Sequence, residues 1–331
     1  MNILITGANG FVGSHIVEYA LTKDADIFAA IRKSSNTKYI PEKGVHLFVL
    51  DFSSQDTLRD GLDRFKSAHG NIDFVIHNAG LTKTLKVGDY DRVNYQLTVD
   101  LISALSRSGH KLKKFTYISS MAASSPGMGK EPIAIDQLGE PVSQYGKSKK
   151  KTENHIEREC PFDYLILRPP PVYGPRDSDM FTVFQMLSKK LEIYIGRQIQ
   201  LLSFIYVKDL ARGIVEATLS PLSNKKYFVS DNKYYDGRVF NEKVKTELQT
   251  TTFKIHLPLF LVYIVASFSE IASRITGKVS QLNLEKIKEL KCSNWTCKSE
   301  KFYHDLDIQP QYSLEQGIRE TIEWYKEMKW L

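Results

Sequence analysis

The sequence predicts an α/β fold, a doubly wound parallel sheet followed by a smaller, mostly helical C-terminal unit. Three observations carry this expectation. Short apolar runs with β-branched or aromatic content recur through the first half, each separated by enough chain for a helix, and strands buried on both faces of a parallel sheet read this way. A glycine-rich turn joins the first run to the first helix. A burst of prolines and glycines after Arg168 then ends the alternation.

Taken in order, Ile3 to Thr6 reads as the first strand, and the turn after it leads into a helix from about Phe11 to Thr22. Further strands are expected at Ile27 to Ile31, Val45 to Leu50, Phe74 to His77, Phe115 to Ser119 and Tyr164 to Leu167. Their crossovers should be right-handed. Pro169, Pro170, Pro171, Gly174 and Pro175 fall close together and stop the pattern. Beyond them come a helix-rich segment, a strand at Phe204 to Val207, a helix to about Leu219 and a strand at Tyr227 to Val229. The tail from about Pro258 reads as helix, with a loop near Gln309 to Tyr312. We therefore expect one domain over residues 1–172, with 204–231 returning to it, and a second over 173–203 and 232–331.

With 331 residues, 42% hydrophobic and 25% charged, the composition is that of an ordinary soluble protein with no need of a disulfide or metal staple. Cys160, Cys292 and Cys297 make an odd set, with no His or Cys pair completing a zinc-like pattern. They read as reduced thiols in a cytoplasmic protein, and no metal is expected. No basic leader precedes an apolar core at the N-terminus. The stretch Leu257 to Phe268 is too short to span a bilayer, which takes roughly 20 residues. Lys254, Arg274 and Lys278 flank it, leaving an interfacial helix open, but a buried helix is the expectation. Net charge is +7. The lysine clusters at Lys111, Lys113 and Lys114 and at Lys147 and Lys149 to Lys151 read as solvated faces, and no nucleic-acid motif accompanies them.

Thr6-Gly7-Ala8-Asn9-Gly10-Phe11-Val12-Gly13 stands between the first strand and the first helix. Glycines there let the backbone turn tightly beside a pyrophosphate, and the helix N-terminus offers unpaired N–H groups. This marks a dinucleotide-binding (Rossmann) domain. An Asp or Glu about 20 residues past the glycines, at the end of the second strand, would select the unphosphorylated dinucleotide. Arg32, Lys33 and Ser34 stand there instead. Arg32 suits a 2′-phosphate, which favours NADP(H) over NAD; a solvated surface arginine is the bland alternative. Asp51, followed by Phe52, is placed either to accept from the adenine amino group or to cap the next helix. His77-Asn78-Ala79-Gly80 ends the fourth strand, where small residues let the backbone pass close to the cofactor.

Tyr145 and Lys149 are four residues apart, on one face of a helix. A nearby ammonium lowers a phenol's pKa, and a tuned phenol can move a proton at a substrate oxygen while hydride moves at carbon. Ser119 and Ser120 end the fifth strand, where a hydroxyl faces the ligand crevice.

Glycine turn, strand-end serine and Tyr-x-x-x-Lys, in this order, resemble the short-chain dehydrogenase/reductase superfamily, and the whole chain resembles its extended epimerase/dehydratase branch. The resemblance also covers Asp51, Asn94, Arg168-Pro169, Val172-Tyr173-Gly174-Pro175-Arg176, Val207 to Ala211 and Gly317 to Thr321. It implies that Ser120 orients the substrate oxygen, Tyr145 is the acid/base and Lys149 tunes it and holds the nicotinamide ribose. Gly7, Asn9, Gly10, Phe11, Val12, Gly13, Arg32, Lys33, Ser34, Asp51, Phe52, Asn78, Ala79, Gly80, Asn94, Pro169 and Val172 would contact the cofactor. It further implies a substrate-binding C-terminal domain, and a homodimer packed through helices starting near Asn94 and Ser143.

Two departures bear on the reaction. Sugar dehydratases of this branch place an acidic pair after the strand-end hydroxyl, whereas Met121-Ala122-Ala123 follows Ser120. Nucleotide-sugar enzymes often carry an Arg-Asp pair before the motif at Val207; here Leu202-Ser203-Phe204-Ile205-Tyr206 stands. Arg176 or Arg197 is left as a candidate for a diphosphate. The expected activity is hydride transfer between NADP(H) and a hydrophobic secondary alcohol or ketone, resembling the 3β-hydroxysteroid dehydrogenase and dihydroflavonol reductase group. A nucleotide-sugar epimerase with tightly held cofactor and a non-catalytic dinucleotide sensor are the alternatives.

Overall fold

The computed structural model describes residues 1–196, 200–276 and 284–331. Arg197 and Lys278 lie outside the described residues. Six strands follow in chain order: β1 (Asn2–Thr6), β2 (Asp26–Ile31), β3 (Val45–Val49), β4 (Phe74–His77), β5 (Lys114–Ile118) and β6 (Tyr164–Arg168). With the strand Lys225–Phe228 they make one parallel sheet, ordered Lys225–Phe228, β6, β5, β4, β1, β2, β3. The strand order reverses at β1 and β4, paired with Thr6 opposite His77. Crevices at such reversals, beyond the carboxyl ends of the strands, are where ligands sit in this architecture.

Side chains alternate across the sheet with period two, so each strand feeds both cores. Ile3, Ile5, Ile27, Ala29 and Ile76 pack with the helices Phe11–Ala20 and Val207–Leu219. Leu4, Phe28, Val75 and Phe115 pack on the other face with Gln55–His69 and Leu97–Arg107.

Some expectations need correcting. The strand at Val45 is not buried on both faces: it is the sheet edge, with Leu47 53% and Val49 47% exposed. An edge strand has a sheet neighbour on one side alone, and its apolar content does not reveal this. The segment Phe204 to Val207 does not join the main sheet; Ile205–Tyr206 pairs with Val172–Tyr173 in a small ladder. Two short strands, Leu191–Ile195 and Phe253–Leu257, pair in parallel where no strand was expected. The helix Leu259–Thr276 was expected to be buried, yet Phe260 is 62% and Phe268 69% exposed. Its apolar length suffices for a core helix, but among its described apolar side chains Val262 and Ala266 are the ones buried, in a small cluster with Ile287. No described helix is long and apolar enough to cross a membrane. Finally, Lys114 is no solvated lysine. It is buried, and its Nζ donates to the carbonyls of Ala217, Thr218 and Ser220 at 3.2, 3.1 and 2.6 Å, at the C-terminal end of a helix.

Candidate active site

The glycine turn is built from steric necessity. Gly7 has φ +66°, and a Cβ there would sit 2.7 Å from Ala79 N. A Cβ on Gly13 would sit 2.0 Å from Gly7 O, so any side chain would push the helix off the turn. Gly10 N donates to Gly7 O at 3.1 Å, and Gly10 heads the helix Phe11–Ala20 with no side chain capping it. The amides at Phe11 and Val12 are therefore available to an anionic ligand. Asn9 Nδ2 donates to Asn36 O at 3.2 Å, tying the turn to the loop after β2. Arg32, Lys33 and Ser34 are exposed on that loop, and neither cation forms an ion pair among the described residues. A helix N-terminus beside unpaired cations has the chemistry to hold a phosphorylated dinucleotide.

Asp51 Oδ1 accepts from Ser53 N at 2.9 Å, while the helix after it is capped by Ser54 together with Thr57. Of the two roles left open for Asp51, helix capping thus belongs to Ser54. Phe52 packs against the core under β2. Asn78 Nδ2 donates weakly to Gly7 O at 3.4 Å, and Ala79 N donates to Thr6 Oγ1 at 3.2 Å. His77, fully buried, bridges Thr6 Oγ1 at 2.7 Å and Thr98 Oγ1 at 2.9 Å. Burial, helped by the charge of Lys149, pushes its pKa down to about 3, so it stays neutral.

Asn94 lies in a π-helical turn, Asp91–Gln96. Its carbonyl accepts from Thr98 Oγ1 and Thr152 Oγ1 at 2.8 and 2.9 Å. Its side-chain amide donates to Leu81 O and Ser148 Oγ, both at 3.0 Å, and Oδ1 accepts from Leu81 N at 2.7 Å. Both amide hydrogens are thus engaged within the protein, and Asn94 clamps the loop after β4 to the helix Gln144–Glu159. Pro169 O accepts from Met121 N at 2.9 Å, and Val172 pairs with Ile205.

Ser143 caps the helix Gln144–Glu159 by accepting from Gly146 N at 3.0 Å. From this helix Tyr145 and Lys149 meet the carboxyl end of β5. Ser120 Oγ accepts from Ala122 N at 3.1 Å and hydrogen-bonds the Tyr145 phenol. Burial raises the phenol pKa well above its ordinary value; the Ser120 bond opposes this, and Glu289, Tyr90 and Asp179 add to it. Lys149 Nζ donates to Ile118 O at 2.8 Å and lies 4.7 Å from the Tyr117 ring centroid. Burial lowers its pKa to about 8, against the pull of Glu153. The expected downward tuning of Tyr145 is therefore not what this geometry produces, because the ammonium bonds the Ile118 carbonyl and burial dominates.

Sequence reasoning missed the support beneath this helix. Glu153 and Arg168 form a buried ion pair, with Arg168 Nε donating to Glu153 Oε1 at 2.8 Å and Nη1 to Ser124 Oγ at 2.8 Å. Two carboxylates from the helix Leu284–Leu290 hold its other end. Glu289 Oε1 accepts from Ser143 Oγ and Glu285 Oε2 from Gln144 N, each at 2.7 Å, where a helix dipole favours negative charge. Glu153 stands one turn after Lys149, so helical spacing could have suggested it; its partner could not be read from spacing.

The sequence profile described as the NAD dependent epimerase/dehydratase family matches residues 3–229. This chain belongs to that family. Members are NAD-dependent enzymes, and this one is an oxidoreductase of the extended short-chain dehydrogenase type. It is 26% identical to a ceramide reductase of Caulobacter vibrioides, over 99% of this chain and 96% of that one. It is 24% identical to a UDP-glucose 4-epimerase of Vibrio cholerae, over 97% and 94%. Its fold matches the crystal structure of a Thermus thermophilus UDP-glucose 4-epimerase in complex with NAD, with a TM-score of 0.76 and 20% identity over 98% of this chain and 99% of the other.

Proposed function

We propose that this family member transfers hydride between NADP(H) and a secondary alcohol or ketone of a hydrophobic small molecule, with Tyr145 as acid/base. The observation carrying this reading concerns Arg176, one of the two arginines the sequence offers for a nucleotide diphosphate, which is engaged within the protein; the other, Arg197, lies outside the described residues. Arg176 pairs with Glu18, donates to Ser14 Oγ at 3.0 Å and stacks over Tyr39 at 5.3 Å. It buttresses the glycine-turn helix. Phe204, Ile205 and Tyr206 are core residues, so they do not themselves line a substrate cleft; what counts is that no arginine stands among them. The whole-chain likeness to a ceramide reductase supports the same reading.

Arg32 and Lys33, unpaired at the end of β2, would bind a 2′-phosphate; Gly7 to Gly13 would hold the pyrophosphate and Lys149 the nicotinamide ribose. The bound dinucleotide supplies or accepts the hydride. Ser120 donates its hydroxyl hydrogen to the substrate oxygen. Tyr145, kept protonated at neutral pH by burial, gives its proton to that oxygen as a ketone becomes an alcohol. Lys149, hydrogen-bonded to Ile118 O, keeps a cation beneath the site on the helix that carries Tyr145.

The test is NADPH oxidation across a panel of hydrophobic ketones, with Tyr145→Phe alongside. Consumption that requires Tyr145 and prefers NADPH over NADH supports the reading. Cofactor binding without net consumption on any ketone, with turnover of a nucleotide sugar, replaces it with an epimerase.

A further inference from the structure

We propose that the exposed face of the helix Leu259–Thr276 docks in the interface of an anionic lipid bilayer. Phe260, Ile264, Val265 and Phe268 are all exposed and spaced to share one side of the helix with Leu261. Val262 and Ala266, on the opposite side, pack against Ile287 with Leu257 and Ile195. Phe253, 71% exposed on the strand leading into the helix, adds a further aromatic ring. Scattered apolar residues are normal on a surface, but a contiguous set of this kind marks an interaction face. The helix cannot cross a membrane, and lying in the interface is how such a helix binds one.

Charge selects the occupant. The chain carries a net +7. Lys254, which also meets Glu242 at 3.5 Å, and Lys291, 5.8 Å from the Tyr263 ring centroid, border the face. The nearby carboxylates bond inward: Glu270 to Leu284 N, Glu285 to Gln144 N and Glu289 to Ser143 Oγ. An anionic surface is attracted to such a rim. A second copy meeting this patch across a two-fold axis would bring the same cations together. The helix Leu284–Leu290 packs on the docking helix and anchors the helix bearing Tyr145, so docking sets the active site beside the bilayer. This inference does not depend on the reductase reading, because binding is measured without turnover.

The experiment is co-sedimentation of the full-length protein with phosphatidylcholine vesicles, with and without phosphatidylglycerol. Anionic vesicles should carry down on the order of ten-fold more protein, as a few cations near an anionic surface imply. The combined Phe260→Ser, Ile264→Ser and Phe268→Ser variant, with an unchanged circular dichroism melt, should lose this binding. Lys254→Gln with Lys291→Gln should remove the anionic preference. Equal binding to both vesicles, or none to either, overturns the proposal. So does a serine variant that falls from dimer to monomer in light scattering while the native protein ignores vesicles, which gives the face to a second copy.

Discussion

Ser119 and Ser120 are neighbours in the chain, and their hydroxyls serve different networks. Ser119 Oγ donates to Glu153 Oε1 at 2.5 Å inside the buried pair with Arg168. Ser120 Oγ accepts from Ala122 N and hydrogen-bonds the Tyr145 phenol. Successive residues leaving a strand face opposite ways, which explains the split. Ser120→Ala should lower kcat by about ten-fold or more while leaving the melting temperature near that of the native protein. Ser119→Ala should do the reverse, costing roughly 1–3 kcal/mol of stability, because Glu153 loses a buried donor. Thermal melts and steady-state rates on both variants check this.

The Glu153–Arg168 pair should be expensive to break from one side. Arg168→Met leaves a carboxylate buried without its partner, and about 3–5 kcal/mol of unfolding free energy is expected to go. Urea titration measures it. The double change Glu153→Gln with Arg168→Met should recover part of the loss.

Lys149 gives a pH signature. Its pKa is lowered to about 8 by burial, so the ammonium is present below that value and lost above it. If its charge supports turnover, kcat/KM falls as pH rises through about 8, well before the roughly 10.4 of an ordinary lysine. The stability sign is opposite. A lysine whose folded pKa lies below its unfolded one makes the folded state pay for charging, fully below about pH 8 and not at all above the unfolded value. Lys149→Met should therefore abolish turnover without lowering the melting temperature at pH 7.

Cofactor choice rests on the exposed loop after β2. Arg32→Ala should raise KM for NADPH by about ten-fold, the scale of a lost charge-assisted contact, and leave KM for NADH unchanged. Equal effects on both cofactors would remove Arg32 from the 2′-phosphate site.

Much of this architecture was legible because buried parallel strands leave apolar runs, and β1, β2, β4, β5 and β6 each coincide with one. Leu47 and Val49 misled because composition does not distinguish an edge strand from a central one. Phe260 and Phe268 misled for a related reason: hydrophobicity says that a face wants covering, not by what. At the candidate site, the signals in motif and spacing fall on Gly7, Gly13, Ser120, Tyr145 and Lys149. The π-helical turn at Asn94 and the Glu153–Arg168 pair leave no such signal, since both depend on contacts between elements distant in sequence.

The central claim is net hydride transfer to a hydrophobic ketone, and an isotope reads it directly. NADPH deuterated at the transferable nicotinamide C4 position is incubated with the protein and each ketone that consumes it. The account predicts deuterium on the product's carbinol carbon, one for each NADP+ released, and none with Tyr145→Phe. A protein that oxidises no NADPH with any ketone, yet interconverts a nucleotide sugar with its cofactor retained, would contradict it.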